Sequence, residues 1–141
     1  MESRYEIQIE NYCKIIQIES NTMLSMVRSD ILPAVCEYTK KLGESVLTKM
    51  QLNSDITFEY EKNILKNLSN LCSKLYKSIE ELALCNEKLN NISDIKKSAY
   101  EYKNSVLKIM QKTRSIIDEL EINMPKKYWP FPTYEDILFS V

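Results

Sequence analysis

Apolar residues recur at alternating steps of three and four through the middle of the chain: Ile64, Leu68, Leu71, Leu75, Leu82, Cys85, Leu89 and Ile92, with only Ser78 interrupting the stripe. That spacing keeps one face of an α-helix apolar and predicts a long helix over about 55–92 with a coiled-coil-like seam. A flanking row, Leu65, Cys72, Tyr76, Ile79 and Ala83, widens the face, so this helix is expected to pack against two neighbours. The pattern repeats through Ile95, Ala99, Tyr102, Val106, Ile109, Thr113, Ile116 and Leu120, with Ser93 as the expected N-cap and Pro125 as the stop beyond Asn123. The connection between the two helices, Asn90 to Asp94, is too short for a domain linker and suits an antiparallel hairpin of helices 55–92 and 94–123.

The first segment opens with a local alternation, Tyr5, Ile7 and Ile9 against polar neighbours, as a short strand would. Over a longer window Tyr5, Ile9, Tyr12, Ile16, Met23, Val27 and Ile31 keep one helical face apolar, so helix is the better reading, with Ser3 as its cap. Pro33 either kinks this helix or sits in the first turn of a new one capped by Ser29 or Asp30. Gly43 is expected to end the helical run near Leu42, giving a first region over about 3–42. Glu44 to Asp55 is ambiguous, and Gln51 to Asp55 reads as a turn. The whole, 1–141, is read as a single all-α helical bundle.

Residues 125–141, PKKYWPFPTYEDILFSV, depart from this pattern, holding three of the four prolines and the only tryptophan. Prolines favour extended backbone, so an extended tail is expected up to Thr133, which can cap a short terminal helix. Such a segment has no core of its own and must dock. The candidate docking residues are Tyr128, Trp129, Pro130, Phe131, Pro132 and Tyr134, with Lys126 and Lys127 beside them, either on this bundle or in a groove of another chain.

Composition narrows the chemistry. The chain has no histidine and one glycine, Gly43. Histidine-based nucleophile activation, HExxH zinc chemistry and glycine-rich phosphate loops are therefore excluded. The 19 basic and 20 acidic residues nearly cancel, which argues against a nucleic-acid binder, and Tyr100 and Tyr102 beside Lys96, Lys97 and Lys103 do not make a basic stripe. Cys13, Cys36, Cys72 and Cys85 form no CxxC pair and read as buried, reduced thiols. Met23, Met26, Met50 and Met110 read as core filler. Adjacent acids such as Glu80 with Glu81 and Asp118 with Glu119 do not share a helix face. Glu10 with Lys14, Glu37 with Lys41 and Arg114 with Asp118 suit ordinary surface pairing. No catalytic, cofactor-binding or metal-binding residue is assigned. The N-terminus lacks a signal-peptide core and no stretch is long and apolar enough to span a membrane, so a cytoplasmic protein is expected.

Two stretches resemble the C-terminal region of type III glutamine synthetases, the long-subunit glutamate-ammonia ligases. One is SRYEIQIENYCKIIQIESNTMLSMVRSDILPAVCEYTKKL, Ser3 to Leu42; the other is YWPFPTYEDILFSV, Tyr128 to Val141. The aromatic-proline alternation of the second is the more specific, because helix packing does not dictate it. The resemblance implies a C-terminal fragment of a longer enzyme whose glutamate, ATP and divalent metal (Mg or Mn) sites lie upstream. It further implies a structural or assembly role, with the catalytic domain of the same chain and neighbouring subunits of a ring-shaped homo-oligomer as partners. The alternative from the residues alone is a free-standing helical adaptor that binds a partner helix. A carboxylate-metal enzyme in a bundle would lack the usual Glu-x-x-His ligands.

Overall fold

The apolar stripes fold as helices in the computed structural model, which describes residues 2–52 and 55–132. Helix α1, Glu2–Met26, continues into α2, Leu32–Leu52, through one π-helical turn, Val27–Ile31. Helix α3 spans Glu59–Asn90. Helix α4, Ile95–Glu101, continues into α5, Leu107–Asn123, through a second π turn, Tyr102–Val106. No strand occurs among the described residues, and both the alternating Tyr5, Ile7 and Ile9 and the expected cap Ser3 lie inside α1.

The first π turn resolves the question of Pro33. Leu32 N–H bonds back to the Val27 carbonyl, the five-residue reach of a widened turn. Proline has no N–H to give, and its ring crowds the carbonyl four residues earlier. Widening the helix just before Pro33 relieves that conflict without ending the helix. Ser29 and Asp30 lie within the turn and cap nothing. The expected stop at Gly43 is also absent: α2 passes through it for nine more residues, and its φ is negative, so it plays no C-cap role. Gln51 and Leu52 remain helical, Asp55 lies in a turn, and α3 starts at Glu59, later than the apolar spacing alone suggested. Asp94, not Ser93, is the N-cap of α4, its carboxylate accepting the Lys96 N–H at 3.1 Å. An aspartate there adds a full negative charge facing the helix N-terminus.

Side-chain pairs define the antiparallel register. Gln17 meets Asn90, Ser20 meets Asn86 and Arg28 meets Glu80, then Lys49 meets Glu61 at the far end. On the other flank of α3, Ser78 meets Thr113 and Glu81 meets Lys112. Helix α3 thus lies between α2 and α5, while α1 packs on α3 and α4. The core draws on all three long helical runs: Val27, Ile31 and Val35; Leu68, Leu75, Ile79 and Leu82; and Val106 and Leu120. Past the second π turn, Met110 and Ile117 join Ile116 in the core while Ile109 is only half-buried, because a widened turn rotates the face that follows it.

Polar groups inside this core are mostly paired. Thr113 donates its hydroxyl proton to the Ile109 carbonyl at 2.7 Å, so Ser78 must donate to Thr113. Ser20 donates to the Gln17 carbonyl at 3.0 Å and accepts from Asn86 Nδ2 at 2.9 Å. Asn86 Oδ1 is buried and has no hydrogen-bond partner among the described residues.

Gly43 offers a direct test of the continuous α2. A Cβ built there meets nothing within 4 Å. Gly43→Ala should therefore stabilise the chain by about 0.8–1 kcal/mol, the difference in helix propensity. Urea denaturation followed by circular dichroism reads it; an unchanged or lower midpoint would contradict a helix through this position.

Candidate functional site

The best-defined constellation of the expected site residues lies where the chain leaves α5. Pro125 ends the helix but its carbonyl accepts from Tyr128 N–H at 3.0 Å and Trp129 N–H at 3.2 Å. Residues 126–128 therefore form a turn, where extended backbone had been expected, and it folds the aromatic residues back onto the bundle. Trp129 is only 9% exposed and belongs to the core cluster. Tyr128 lies over Tyr38 of α2, ring centroids 5.1 Å apart and tilted by 37°. Phe131 meets Trp129 edge-on at 6.4 Å and 78°. These separations suit favourable edge-to-face and offset ring contacts. Pro130 and Pro132 are exposed; Tyr134 and the Thr133 cap lie outside the described residues.

The electrostatics here are those of a packed aromatic patch. Burial pushes the Tyr38 hydroxyl pKa up, and the neighbouring Tyr60 and Tyr128 hydroxyls add to the effect. Lys127 Nζ sits 5.8 Å from the Tyr128 ring centroid, within cation–π range. Near the opposite end of the bundle Tyr102 is buried beside Cys13 and Cys85, and burial, followed by those two thiols, raises its pKa.

Elsewhere the acids serve as helix-to-helix links. Glu80 pairs with Arg28 at 3.2 Å, Glu81 with Lys112 at 3.8 Å and Glu61 with Lys49. The within-helix pairs expected at Glu10, Glu37 and Asp118 are not closed; the long lysine and arginine side chains gain little by holding one geometry at an exposed surface. Among the described residues no three of Cys, Asp or Glu group as metal ligands would. The expected burial holds only in part: Met23 and Met110 are buried, Cys13, Cys72, Cys85 and Met26 are half-buried, Cys36 is exposed, and Met50 at the end of α2 is more than half exposed. The sequence reading also missed that Cys36 and Cys72 line one apolar depression between α2 and α3. The signal existed only in the helix register, since the two lie far apart in the chain.

The chain matches the family described as the glutamine synthetase C-terminal domain over residues 1–51, that is, α1, the first π turn and most of α2. Similarity to curated relatives extends over nearly the whole chain. It is 34% identical to a glutamine synthetase of Butyrivibrio fibrisolvens, covering 99% of this chain and 20% of that protein. It is 32% identical to the type-3 glutamine synthetase of Dictyostelium discoideum, covering 99% and 20%, and 25% identical to a glutamine synthetase of Bacteroides fragilis, covering 97% and 19%. The described residues form an all-α bundle. Glutamine synthetases, a type-3 enzyme among them, are thus what nearly the whole chain is similar to, and residues 1–51 carry the family match. It spans about a fifth of the length of the curated relatives it matches.

Two predictions follow from the packing. Trp129→Ala removes a large ring from the core and should cost about 3–5 kcal/mol, read from the denaturation midpoint; an unchanged midpoint would mean that the ring contributes nothing to the bundle. The Lys49 hydrogen bond, with Glu61's backbone bond second, holds the Glu61 carboxyl below its ordinary range. A depressed folded-state pKa gives stability that is present above the unfolded value and lost as pH falls through the folded one. Glu61→Gln should therefore lower stability slightly at neutral pH and flatten its decline below the ordinary value of about 4.5. Denaturation curves taken from neutral to acid pH decide it; parallel declines in both proteins would refute the link.

Proposed function

We propose that this chain is the C-terminal helical domain of a longer type III glutamine synthetase, and that it supports assembly of an enzyme it does not itself catalyse for. The observation that carries the reading is an alignment at 34% identity that takes in nearly all of this chain but only a fifth of its relative. In the parent, glutamate, ammonia, ATP and a divalent metal, Mg or Mn, meet in the catalytic body; no step of the ligation is assigned to residues of this chain.

The partners proposed are the catalytic domain of the same polypeptide and neighbouring subunits of a ring-shaped homo-oligomer in the cytoplasm. Exposed apolar side chains support such contacts. Ile7, Ile15 and Ile18, each more than half exposed, share one face of α1, and Tyr5 is exposed on another. At the other end, Leu47, Met50, Leu52 and Tyr60 are exposed around the α2–α3 connection. Large exposed apolar groups in clusters mark contact surfaces more often than single ones do. No helix among the described residues is long and apolar enough to cross a membrane. The tail residues Tyr128 to Pro132 and Tyr134 are proposed to complete one of these contacts, with Trp129 and Phe131 as its anchored base and the exposed prolines as its outer face.

An antibody against this domain tests the reading on source-cell extract. The expected native band lies at about five times 16.6 kDa, as the relatives' coverage implies. A single band at 16.6 kDa would overturn it and favour a free-standing adaptor.

A further inference from the structure

The register of α2 against α3 brings together two thiols that no part of the proposed assembly role uses. Cys36 lies eight residues beyond Arg28, and Cys72 eight before Glu80, so the pair falls in line with the Arg28–Glu80 bridge as the antiparallel helices run on toward Lys49 and Glu61. Both line a depression of about 390 Å³ whose other walls are Leu32, Ser73, Tyr76 and Lys77. Cys36 is exposed and Cys72 half-buried behind it. Burial raises the Cys72 thiol pKa, and the neighbouring Cys36 raises it further.

We propose that Cys36 and Cys72 form a thiol–disulfide exchange site that takes a low-molecular-weight disulfide of the glutathione class and leaves α2 cross-linked to α3. In the first step the Cys36 thiolate attacks one sulfur of that disulfide. Its S–S bond breaks, a mixed disulfide forms on Cys36, and the departing thiolate takes up a proton. In the second step the Cys72 thiolate attacks the Cys36 sulfur and expels the second small thiol. The protein gives up two electrons and two protons, and the small disulfide is reduced to two thiols. The exposed Cys36 enters first and the half-buried Cys72 resolves, because access to the small disulfide sets the order of attack. The bond closes the loop that holds the α2–α3 connection, where Leu47, Met50, Leu52 and Tyr60 are exposed, and so fixes the geometry of that end of the bundle. This inference stands on the helix register and does not depend on the parent enzyme's identity.

The test treats the complete native polypeptide, purified under reducing conditions and then freed of reductant, with glutathione disulfide, followed by peptide mapping without reduction. The expected result is a Cys36–Cys72 cross-linked peptide, loss of those two free thiols, no retained glutathione, and a higher melting temperature that reductant reverses. In Cys72→Ser the reaction should halt with glutathione on Cys36, while Cys13→Ser with Cys85→Ser should leave the cross-link unchanged. A stable glutathione adduct on Cys36 of the wild-type chain, a cross-link to Cys13 or Cys85, or no reaction at Cys36 would each overturn the proposal.

Discussion

The two-sided apolar surface of α3 is the constraint around which the rest of the structure is arranged. Leu68, Leu75, Ile79 and Leu82 are fully buried in the stripe between two flanks of α3, one meeting α1–α2 at Cys72 and Glu80 and the other meeting α5 at Ser78 and Glu81. At about 25 cal/mol per Å² of apolar surface removed from water, leaving one flank bare would forfeit several kcal/mol, as much as a small domain's net stability. The chain answers with one long helical run on each side, α1–α2 before α3 and α4–α5 after it. Both runs must stay in contact with α3 over many turns, so each has to remain unbroken where local sequence would interrupt it.

The π turns keep the runs unbroken. At Val27–Ile31 the widened turn lies immediately before Pro33, which would otherwise break the hydrogen-bond ladder, and it still buries Val27 and Ile31 completely. At Tyr102–Val106 it buries both end residues and turns the following face so that Met110 and Ile117 reach the core. Burial therefore prevails over local preference at Pro33, and again at Gly43, where one glycine's deficit of about 1 kcal/mol is small beside the packing of Leu42 and Val35.

This explains what could be read from the residues and what could not. The spacing of Leu68, Leu71, Leu75 and Leu82 states the helix, its seam and its need for two partners without reference to anything distant. The ends of elements are decided elsewhere: Gly43 and Ser93 are ordinary stop and start signals, and both were overridden by neighbours in space or sequence. The tail aromatics stood out from the helical pattern, but the turn that places Trp129 against the core depends on the Pro125 carbonyl accepting two N–H groups, which no residue pattern encodes. Cys36 with Cys72 was invisible for the same reason, since neither residue's neighbours in the chain indicate which residue of the opposite helix it faces.

What fixes those facing pairs is the polar content of the core. A purely apolar seam tolerates sliding by a heptad, because leucine meets leucine again. Here a slide would pull Ser78 from Thr113 and Asn86 from Ser20, leaving buried hydroxyl and amide groups unpaired at about 1–3 kcal/mol each. Asn86 Oδ1 has no partner among the described residues, so the value of Asn86 to the fold lies in discrimination between registers more than in strength. Once Ser20 is held to Asn86 and Ser78 to Thr113, the positions further along follow without further choice. Lys49 comes to Glu61, Cys36 to Cys72, and Tyr38 is set where the returning tail can lay Tyr128 upon it.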